Sequence, residues 1–384
     1  MIRAQQHPPD VVVVGGGVIG LGVAWEACRR GLRTTVLERG QPGSGATGVA
    51  AGMLAPVSEA AFGEPAMLRL GLASSALYPE WVTALREASG GIDPGYLPCG
   101  SLLVAHDRDQ AEALERELAF RQEQGLQVRR LLPSQARRRE PALAPAIRVA
   151  LEAPDDHAID PARLVAALCA AVERAGGELR LQARVAGIMV DADRVTGVRL
   201  ADGERVDAGH VVIAAGCWSN QLDGLPAGAR LPLRPVKGQL LRLRDPNGPG
   251  LLASAVRSED VYLVPRGDGR YVLGASVEER GFDTTRTAGV AFELLRAAID
   301  LVPGVMELEI EEMLAGLRPG TPDNAPALGP GPLEGLLWAT GHYRHGVLLA
   351  PITAQAVAGE LAGDGTPEVA MPFSPDRFGA GVRA

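Results

Sequence analysis

The sequence predicts a mixed α/β protein with two domains, the first of which opens with a nucleotide-binding βαβ unit. Between residues 10 and 38, a valine-rich strand, a glycine-rich turn, a helix and a second strand follow one another, as in a parallel βαβ unit. Further along, strand patterns meet at turn signals such as Asp202-Gly203, which are typical of antiparallel hairpins. A chain of 384 residues has room for two or three domains.

The composition excludes several functional classes. A formal net charge of −8 argues against an electrostatic nucleic-acid partner. No apolar run approaches the roughly 20 residues of a membrane helix, so no membrane partner is expected. The four cysteines contain no CxxC pair, which disfavours a disulfide scaffold or a zinc site. Because the first residues also lack the apolar core of a signal peptide, we expect a cytoplasmic protein. No metal site is expected either.

Apolar runs and their stop signals predict the elements of the first half of the chain. Buried strands are expected at 10–14 and 34–38, with a helix between them at 18–30. A loop of small residues follows at 41–58. Helices are expected at 107–124 and at 160–175, the second capped by Asp160 and Pro161. Strands are expected at 179–190, 195–200 and 210–214.

The second half has weaker patterns. Residues 224–250 are dense in Pro, Gly and Arg, and they predict a crossover between domains. A hairpin is expected at 261–273 and a helix at 289–301. Beyond Leu317 we expect mainly loops, apart from a strand at 336–340 and a last helix at 346–361, which is expected to begin at Gly346.

The first turn carries the sequence GxGxxG. Gly15 permits the tight turn, Gly17 lets the backbone approach a pyrophosphate, and Gly20 lets the helix pack against the strand. The free N–H groups of the helix N-terminus favour the phosphates. Glu38 ends the second strand, where a carboxylate would accept the ribose hydroxyls. The motif predicts a dinucleotide but does not separate FAD from NAD.

The residues after the second strand favour a flavin. They are small over 43–47 and again over 50–54, so backbone amides could approach a pyrophosphate and a flavin ring. A plain NAD-dependent dehydrogenase, which remains an alternative here, usually continues with further alternating strands and helices.

The chain resembles the D-amino-acid oxidase superfamily of flavoproteins, and within it most resembles the glycine oxidase branch, which serves thiamine biosynthesis. The resemblance runs nearly from end to end in the family's order. The segments that carry it are VVVVGGGVIGLGVAWE, AAGMLAP, HVVIAAGCWS, PVKGQ, YLVPRGDGRYVLGAS, AGLRPGTPDNAPALG and GHYRHGVLLAPITA.

The resemblance implies a fold and a domain division. A glutathione-reductase-type, Rossmann-like FAD-binding domain would comprise residues 1–92, 142–222 and 319–384. A second domain with an antiparallel sheet, at 93–141 and 223–318, would bind the substrate. Covalent flavin attachment through cysteine is not expected, because no cysteine follows Cys217, so the FAD would be non-covalent.

The resemblance also implies the FAD contacts. Val185 would hold the adenine through its backbone, and the segment from His342 to Leu348 would close over the flavin ring. Together with the glycine turn, the expected cofactor-binding residues are Gly15, Gly17, Val18, Ile19, Gly20, Glu38, Arg39, Ala46, Thr47, Ala51, Gly52, Met53, Val185, Gly216, His342, Tyr343, Arg344, His345, Gly346, Val347 and Leu348.

A substrate carboxylate needs a partner, and Arg318 in a Pro-Gly context is the best candidate, because guanidinium binds carboxylate through two parallel hydrogen bonds. The resemblance adds Tyr262 as a second carboxylate ligand and Arg344 at the substrate mouth. Met53 would limit the room for a substrate side chain. Val277 stands where the glycine oxidase pattern has methionine, which predicts a wider pocket. Trp218 and Lys237 are expected to have packing roles.

The implied activity is oxidation of glycine or a similar small amine, such as sarcosine or D-alanine, by hydride transfer to flavin N5. O2 would be reduced to H2O2, and the glycine imine would supply thiamine thiazole synthesis. Orientation does most of the work in such a step, so no catalytic side chain is expected. The alternatives are a D-amino-acid dehydrogenase that passes electrons to a quinone, and a non-catalytic flavin-binding module. Family resemblance also implies a homo-oligomer, with a tetramer as one form.

Overall fold

The computed structural model of the protein describes residues 8–379 and confirms the mixed α/β fold class. Residues 1–7 and 380–384, at the outer ends of the segments predicted for the FAD-binding domain, lie outside the described part. The helices are α1 Val18–Arg29, α2 Pro65–Ala88, α3 Arg108–Glu123, α4 Pro133–Arg139, α5 Pro161–Arg174, α6 Ala288–Leu301 and α7 Ala350–Ala362.

Strands make up much of the remaining chain. They are β1 Val11–Val14, β2 Thr34–Leu37, β3 Met53–Leu54, β4 Tyr96–Leu97, β5 Ser101–Ala105, β6 Arg129–Leu131, β7 Val149–Ala153, β8 His157–Ile159, β9 Glu178–Arg180, β10 Val185–Asp191, β11 Arg194–Leu200, β12 Arg205–Asp207, β13 His210–Ile213, β14 Arg234–Arg244, β15 Ala255–Arg257, β16 Tyr262–Pro265, β17 Arg270–Gly274, β18 Glu309–Gly320, β19 Ala327–Pro330 and β20 Leu336–Thr340.

A six-stranded sheet forms the centre of the first layer, in the order β19-β20-β13-β1-β2-β9. All its strands run parallel except the edge strand β19, which pairs antiparallel with β20. Val11 and Val13 pack against the helices α1, α2, α5 and α7. Val12 and Val14 pack against the antiparallel sheet β10-β11-β12 on the opposite face. An unbroken valine run is therefore required, because β1 is buried on both sides.

An eight-stranded sheet forms the second large layer, in the order β18-β14-β17-β16-β15-β5-β7-β6. Its pairs are antiparallel except for the parallel pair of β15 with β5. Helix α6 covers one face, with Leu294, Ala298 and Leu301 in a shared core. The small sheet β3-β8-β4 pairs the Met53 strand with β8 and β4.

The sequence predictions of secondary structure are wrong in three places, which are residues 224–250, the chain beyond Leu317 and the start of the last helix. Residues 224–250 contain the eleven-residue strand β14 and are not merely a crossover. Pro235 is compatible with this strand because β17 pairs only with Leu240–Arg244, so no ladder bond from the Pro235 nitrogen is needed on that side. The chain beyond Leu317 is also more regular than expected, since β18 continues to Gly320 and β19 follows.

The last helix begins at Ala350 rather than at Gly346. Residues 346–349 form a turn, and Pro351 occupies the first helical turn, where its missing N–H costs nothing. The 24-residue helix α2 was not anticipated from the sequence. In the part of the chain that the structure describes, no helix combines the length and apolarity that a membrane crossing requires.

Candidate active site

One cavity of about 1080 Å³ brings together residues from both large sheets. This exceeds the roughly 300–1,000 Å³ of pockets for drug-sized ligands, as a dinucleotide with a small substrate would require. The predicted residues that line it are Gly15, Gly17, Val18, Ile19, Glu38, Arg39, Ala46, Thr47, Ala51, Gly52, Met53, Val185, Gly216, Tyr262, Arg318, His342, Tyr343, Arg344, Gly346 and Val347. Three predicted cofactor contacts, Gly20, His345 and Leu348, are not among the lining residues.

The glycine turn is held by backbone contacts that leave no room for side chains. Gly15 has a φ of +110°, and a Cβ there would lie 2.6 Å from the carbonyl oxygen of Ala214. A Cβ at Gly20 would lie 2.0 Å from the oxygen of Gly15. Gly20 therefore permits close contact between helix and strand, as its position in the motif predicts, without itself facing the cavity.

Glu38 lies against the same turn. Its two carboxylate oxygens accept hydrogen bonds from the N–H groups of Gly16 and Gly40, each at 2.8 Å. The hydroxyl of Thr47 accepts a hydrogen bond from the Val18 N–H at 3.1 Å, at the start of α1. The fixed carboxylate retains acceptor capacity for hydroxyl groups. The closely approached backbone and this carboxylate fit the pyrophosphate and ribose of a dinucleotide.

Arg39 and Trp218 form a second part of the wall. The guanidinium of Arg39 lies 3.8 Å from the centre of the Trp218 ring, which is a cation–π contact. Trp218 also packs against Phe282, with 5.9 Å between the ring centres. Trp218 therefore combines the expected packing role with a place in the cavity wall.

The segment before β3 is fixed by an arginine that sequence reasoning missed. Arg266 donates to the carbonyl oxygens of Ala51 at 2.7 Å and Ile159 at 3.0 Å. Burial lowers the pKa of Arg266 to about 10, so it remains charged at neutral pH. Gly52 packs so tightly that a Cβ would lie 2.0 Å from the Ile159 oxygen. The small residues at 50–54 thus allow backbone to pack on backbone beside the cavity.

The turn before α7 is bound to helix α2. The hydroxyl of Ser74 donates to the Leu348 carbonyl at 2.7 Å, and that of Tyr78 donates to the Val347 carbonyl. Leu348 itself belongs to the hydrophobic core and is 2% exposed. His342 bonds to Thr353 at 3.0 Å, and burial lowers the pKa of His342 to about 3. At neutral pH this imidazole is uncharged.

Arg318 extends from β18 across β14 towards the cavity. Its Nη1 donates to the carbonyl oxygens of Ser276 at 3.0 Å and Lys237 at 3.3 Å. Within residues 8–379, no ion pair at 4.0 Å or less involves this guanidinium. A half-buried arginine oriented by carbonyls and free of a carboxylate is suited to bind an anion.

Tyr262 lines the same end of the cavity. Burial raises the pKa of Tyr262, so its hydroxyl remains protonated and can donate a hydrogen bond. A Cβ at Gly274 would lie 2.6 Å from this hydroxyl, so glycine on the neighbouring strand gives the ring its space. Val277 lines the cavity and is 65% exposed, which places it at an open edge.

Arg344, Glu59 and Arg257 surround His345. Nε of the exposed Arg344 donates to Nε2 of His345 at 3.2 Å, so the imidazole proton is on Nδ1. That Nδ1 lies 3.6 Å from Glu59, which is also 3.6 Å from Arg257. Burial lowers the pKa of His345 to about 4. Burial alone would raise the pKa of Glu59, but the surrounding charges, led by His345 and Arg257, lower it.

Glu59 is a lining residue that the sequence did not reveal. The buried Asp156 accepts hydrogen bonds from the N–H groups of Val57 at 3.0 Å and Ser58 at 2.9 Å. The buried Arg121 donates to the carbonyls of the same two residues. Asp156 and Arg121 are distant in sequence from Glu59, and no local pattern links them to it.

Comparisons with known proteins show the family of the chain. A family model described as FAD dependent oxidoreductase (DAO) matches residues 10–360. The chain is 36% identical to the glycine oxidase of Geobacillus kaustophilus over 96% of its length and 97% of that protein. Superposition of this chain on the crystal structure of that enzyme gives a TM-score of 0.89 with 35% sequence identity. The matched region covers 97% of this chain and 99% of the other.

A second relative is longer than this chain. The bifunctional protein ThiO/ThiG of Trichormus variabilis is 36% identical over 96% of the chain. The chain spans 55% of that relative's length.

Proposed function

The chain belongs to the family of FAD-dependent oxidoreductases, and from this premise we propose that it oxidises glycine or a similar small amine such as sarcosine or D-alanine. The overall reaction converts glycine, O2 and water into glyoxylate, ammonia and H2O2. FAD is the cofactor of the family. The similarity to glycine oxidases supports the proposed substrate class.

The observation that carries this proposal is the guanidinium of Arg318, which forms no ion pair at 4.0 Å or less among residues 8–379. Its two carbonyl partners fix its orientation, which leaves its other donors for a substrate carboxylate. The protonated hydroxyl of Tyr262 adds a second donor at the same end. Met53 limits the size of the substituent on the substrate, and Arg344 lies at the mouth.

FAD, when bound, supplies the two-electron acceptor and transfers the electrons to O2. We propose that the turn from Gly15 to Ile19 holds its pyrophosphate and Glu38 its ribose. The Val185 backbone would hold the adenine, and residues 46–53, 216 and 342–347 would surround the flavin. Gly20 and Leu348 would support this site through packing, and His345 through Arg344. The protein's own contribution is orientation and exclusion of water.

We also propose a two-domain division close to that expected from the resemblance. The strands of the six-stranded sheet fall within 1–92, 142–222 and 319–384, which supports these segments as the FAD-binding domain. Most strands of the eight-stranded sheet fall within 93–141 and 223–318. Strand β18 passes the expected boundary by two residues, since it ends at Gly320. Strand β7 lies outside these segments altogether and pairs with β5 and β6, so we place the boundary of the middle segment after Ala153.

Anaerobic mixing with glycine tests the function directly. We expect glycine, sarcosine or D-alanine to bleach the flavin absorption, and air to restore it with release of peroxide. If no small amine bleaches the flavin, the proposed activity is wrong. If bleaching occurs but only a quinone restores the colour, the chain is a dehydrogenase, the alternative that the glycine oxidase relatives do not favour.

Three further points belong to the proposal. Cys28, Cys99, Cys169 and Cys217 are all unpaired, which supports a reducing compartment such as the cytoplasm. Similarity to the ThiO/ThiG protein supports a role for the product imine in thiamine thiazole synthesis.

Family resemblance supports a homo-oligomer, and light scattering of the purified protein would establish whether it is a tetramer.

Gly238→Ala should weaken substrate binding without loss of FAD. A Cβ at this position would lie 2.4 Å from both terminal nitrogens of Arg318, so the guanidinium must move. We expect the KM for glycine to rise about tenfold, the loss of one charge-assisted hydrogen bond. Gly289→Ala is the control, because a Cβ there in α6 meets no atom within 4 Å. Equal KM values for the two variants would contradict the assigned role of Arg318.

A further inference from the structure

Glu59 lines the cavity with 16% of its side chain exposed. One of its oxygens lies 3.6 Å from Nη1 of Arg257 and the other 3.6 Å from Nδ1 of His345, and both distances exceed the length of a hydrogen bond. The same Arg257 nitrogen donates to the carbonyl of Ser58 at 3.1 Å, and within residues 8–379 the buried Nδ1 of His345 has no hydrogen-bond partner. Both oxygens of Glu59 therefore retain the capacity to accept hydrogen bonds.

The carboxyl group of Glu59 is charged at neutral pH. Burial acts to raise its pKa, but neighbouring charges lower the pKa below the usual value for glutamate. These charges belong to His345, Arg257, Arg344 and Arg318. Because Arg318 is among them, Glu59 lies within electrostatic range of the guanidinium proposed to bind the substrate.

The strand register places Arg257, Tyr262 and Arg318 on one face of the eight-stranded sheet. Tyr262 lies directly opposite Arg257 on β15. On its other side the register continues across β17 and β14 to Leu314 of β18, four residues before Arg318. Opposed residues share a face, and so do residues an even number of positions apart. Glu59 approaches this same face at Arg257, so its carboxylate belongs to the substrate end of the cavity.

A small amino acid carries two opposite charges at neutral pH, because its amino group is protonated. Arg318 and Tyr262 offer donors for the carboxylate, whereas the ammonium needs an acceptor. Glu59 supplies a charged acceptor in the same cavity. Its backbone is fixed before a ligand arrives, since Asp156 and Arg121 bond to the two preceding residues, and such preorganisation favours binding.

We propose that Glu59 is a substrate-binding residue that accepts the ammonium group and makes the site selective for amino acids over carboxylic acids without an amine. This inference rests on the proposed function, in which Arg318 binds the carboxylate. The two side chains together present one charge of each sign to a zwitterion. After loss of its proton, the neutral amine retains an N–H donor for the same carboxylate.

Two ligands of the same shape test this role in the FAD-loaded enzyme. Sarcosine and methoxyacetate share one chain of heavy atoms, but methoxyacetate has an ether oxygen in place of the ammonium. The half-saturating concentration of sarcosine, and of glycine beside it, is measured from anaerobic bleaching of the flavin. The dissociation constant of methoxyacetate is measured from the change in flavin absorption. Glu59→Gln is compared with Glu80→Gln, which removes the same charge from an exposed position on α2.

We expect Glu59→Gln to raise the half-saturating concentrations of sarcosine and glycine about tenfold or more, the loss of a charge-assisted hydrogen bond. Methoxyacetate should bind as tightly as to the native enzyme or more tightly, because no ammonium contact is lost. The ratio of the sarcosine value to the methoxyacetate value therefore rises at least about tenfold. Glu80→Gln should keep the native ratio. Arg318→Met should weaken both ligands, since both carry the carboxylate.

A native ratio in Glu59→Gln would overturn the proposal, whether both ligands keep their affinity or lose it equally, as a purely structural ion pair with Arg257 predicts. If the native enzyme excludes methoxyacetate, Glu59→Gln must admit it, and continued exclusion would count against the role. If Glu59→Gln fails to fold, Glu59→Asp decides, because its withdrawn carboxylate should weaken sarcosine alone. Failure of the proposed function would look different, since no small amine would then bleach the native enzyme.

Discussion

Replacing Arg318 with methionine is expected to raise the KM for glycine about 30- to 1000-fold, while the protein keeps its FAD. The range corresponds to about 2–4 kcal/mol for loss of one partner of a hydrogen-bonded charge pair. The carbonyls of Lys237 and Ser276 position the guanidinium but do not neutralise it. Peroxide release at varied glycine concentration measures the KM, and the flavin absorption per chain measures the FAD content.

Two companion variants make this result specific. Arg318→Lys keeps the charge but lacks the fork that binds both carboxylate oxygens, so we expect it to recover only part of the affinity. Arg286→Met removes an exposed arginine that bonds to the Met313 carbonyl, and its KM should be native. An unchanged KM in Arg318→Met would exclude Arg318 as the carboxylate ligand, and with it the observation that carries the proposed function.

Gly15→Ala is expected to yield protein with little or no FAD. Gly15 combines a φ of +110° with a space in which a Cβ would lie 2.6 Å from the Ala214 oxygen. Strain of this backbone region costs about 1–3 kcal/mol, and the carbonyl that opposes the new methyl belongs to the backbone after β13. Since about 1.4 kcal/mol changes an affinity tenfold, we expect the FAD content to fall below about one tenth of native.

The control for Gly15→Ala is Gly31→Ala, at the far end of α1. Gly31 has a φ of +83°, but a Cβ there would meet no atom within 4 Å. That variant carries similar backbone strain without a collision, so it should lose about 1–2 kcal/mol of stability and remain yellow. A yellow Gly15→Ala protein with native FAD content would show that the turn does not approach the dinucleotide closely.

Several features of the site could be predicted because they depend on residues close together in sequence. The GxGxxG turn, the strands on either side of α1 and Glu38 lie between residues 10 and 38, and the structure places them as the motif requires. The last helix, which was expected to begin at Gly346, begins four residues later at Ala350. Apolar composition continues through residues 347–349, but their backbone forms a turn whose carbonyls accept hydrogen bonds from Ser74 and Tyr78 of α2.

Strand β14 shows why local composition can mislead. Its Pro, Gly and Arg residues indicated a connection between domains, yet each has a place in the sheet. Pro235 lies where β17 does not reach, and Gly238 gives space to the guanidinium of Arg318. Neither reason can be read from β14 alone, because both depend on strands that lie more than 30 residues away along the chain.

The sequence by itself determined the nucleotide-binding unit and the family, and it predicted Arg318 as the carboxylate ligand, because periodicity, glycine spacing and side-chain chemistry are local properties. Only the tertiary structure decided that Arg318 has carbonyl partners and, between residues 8 and 379, no ion pair at 4.0 Å or less, that Lys237 pairs with Glu278 and Asp283, and that Glu59 lines the cavity. Those outcomes depend on burial and on the distances between charges from separate segments. Burial and charge separation set the free energy of an ion pair, and both exist only once the chain has folded.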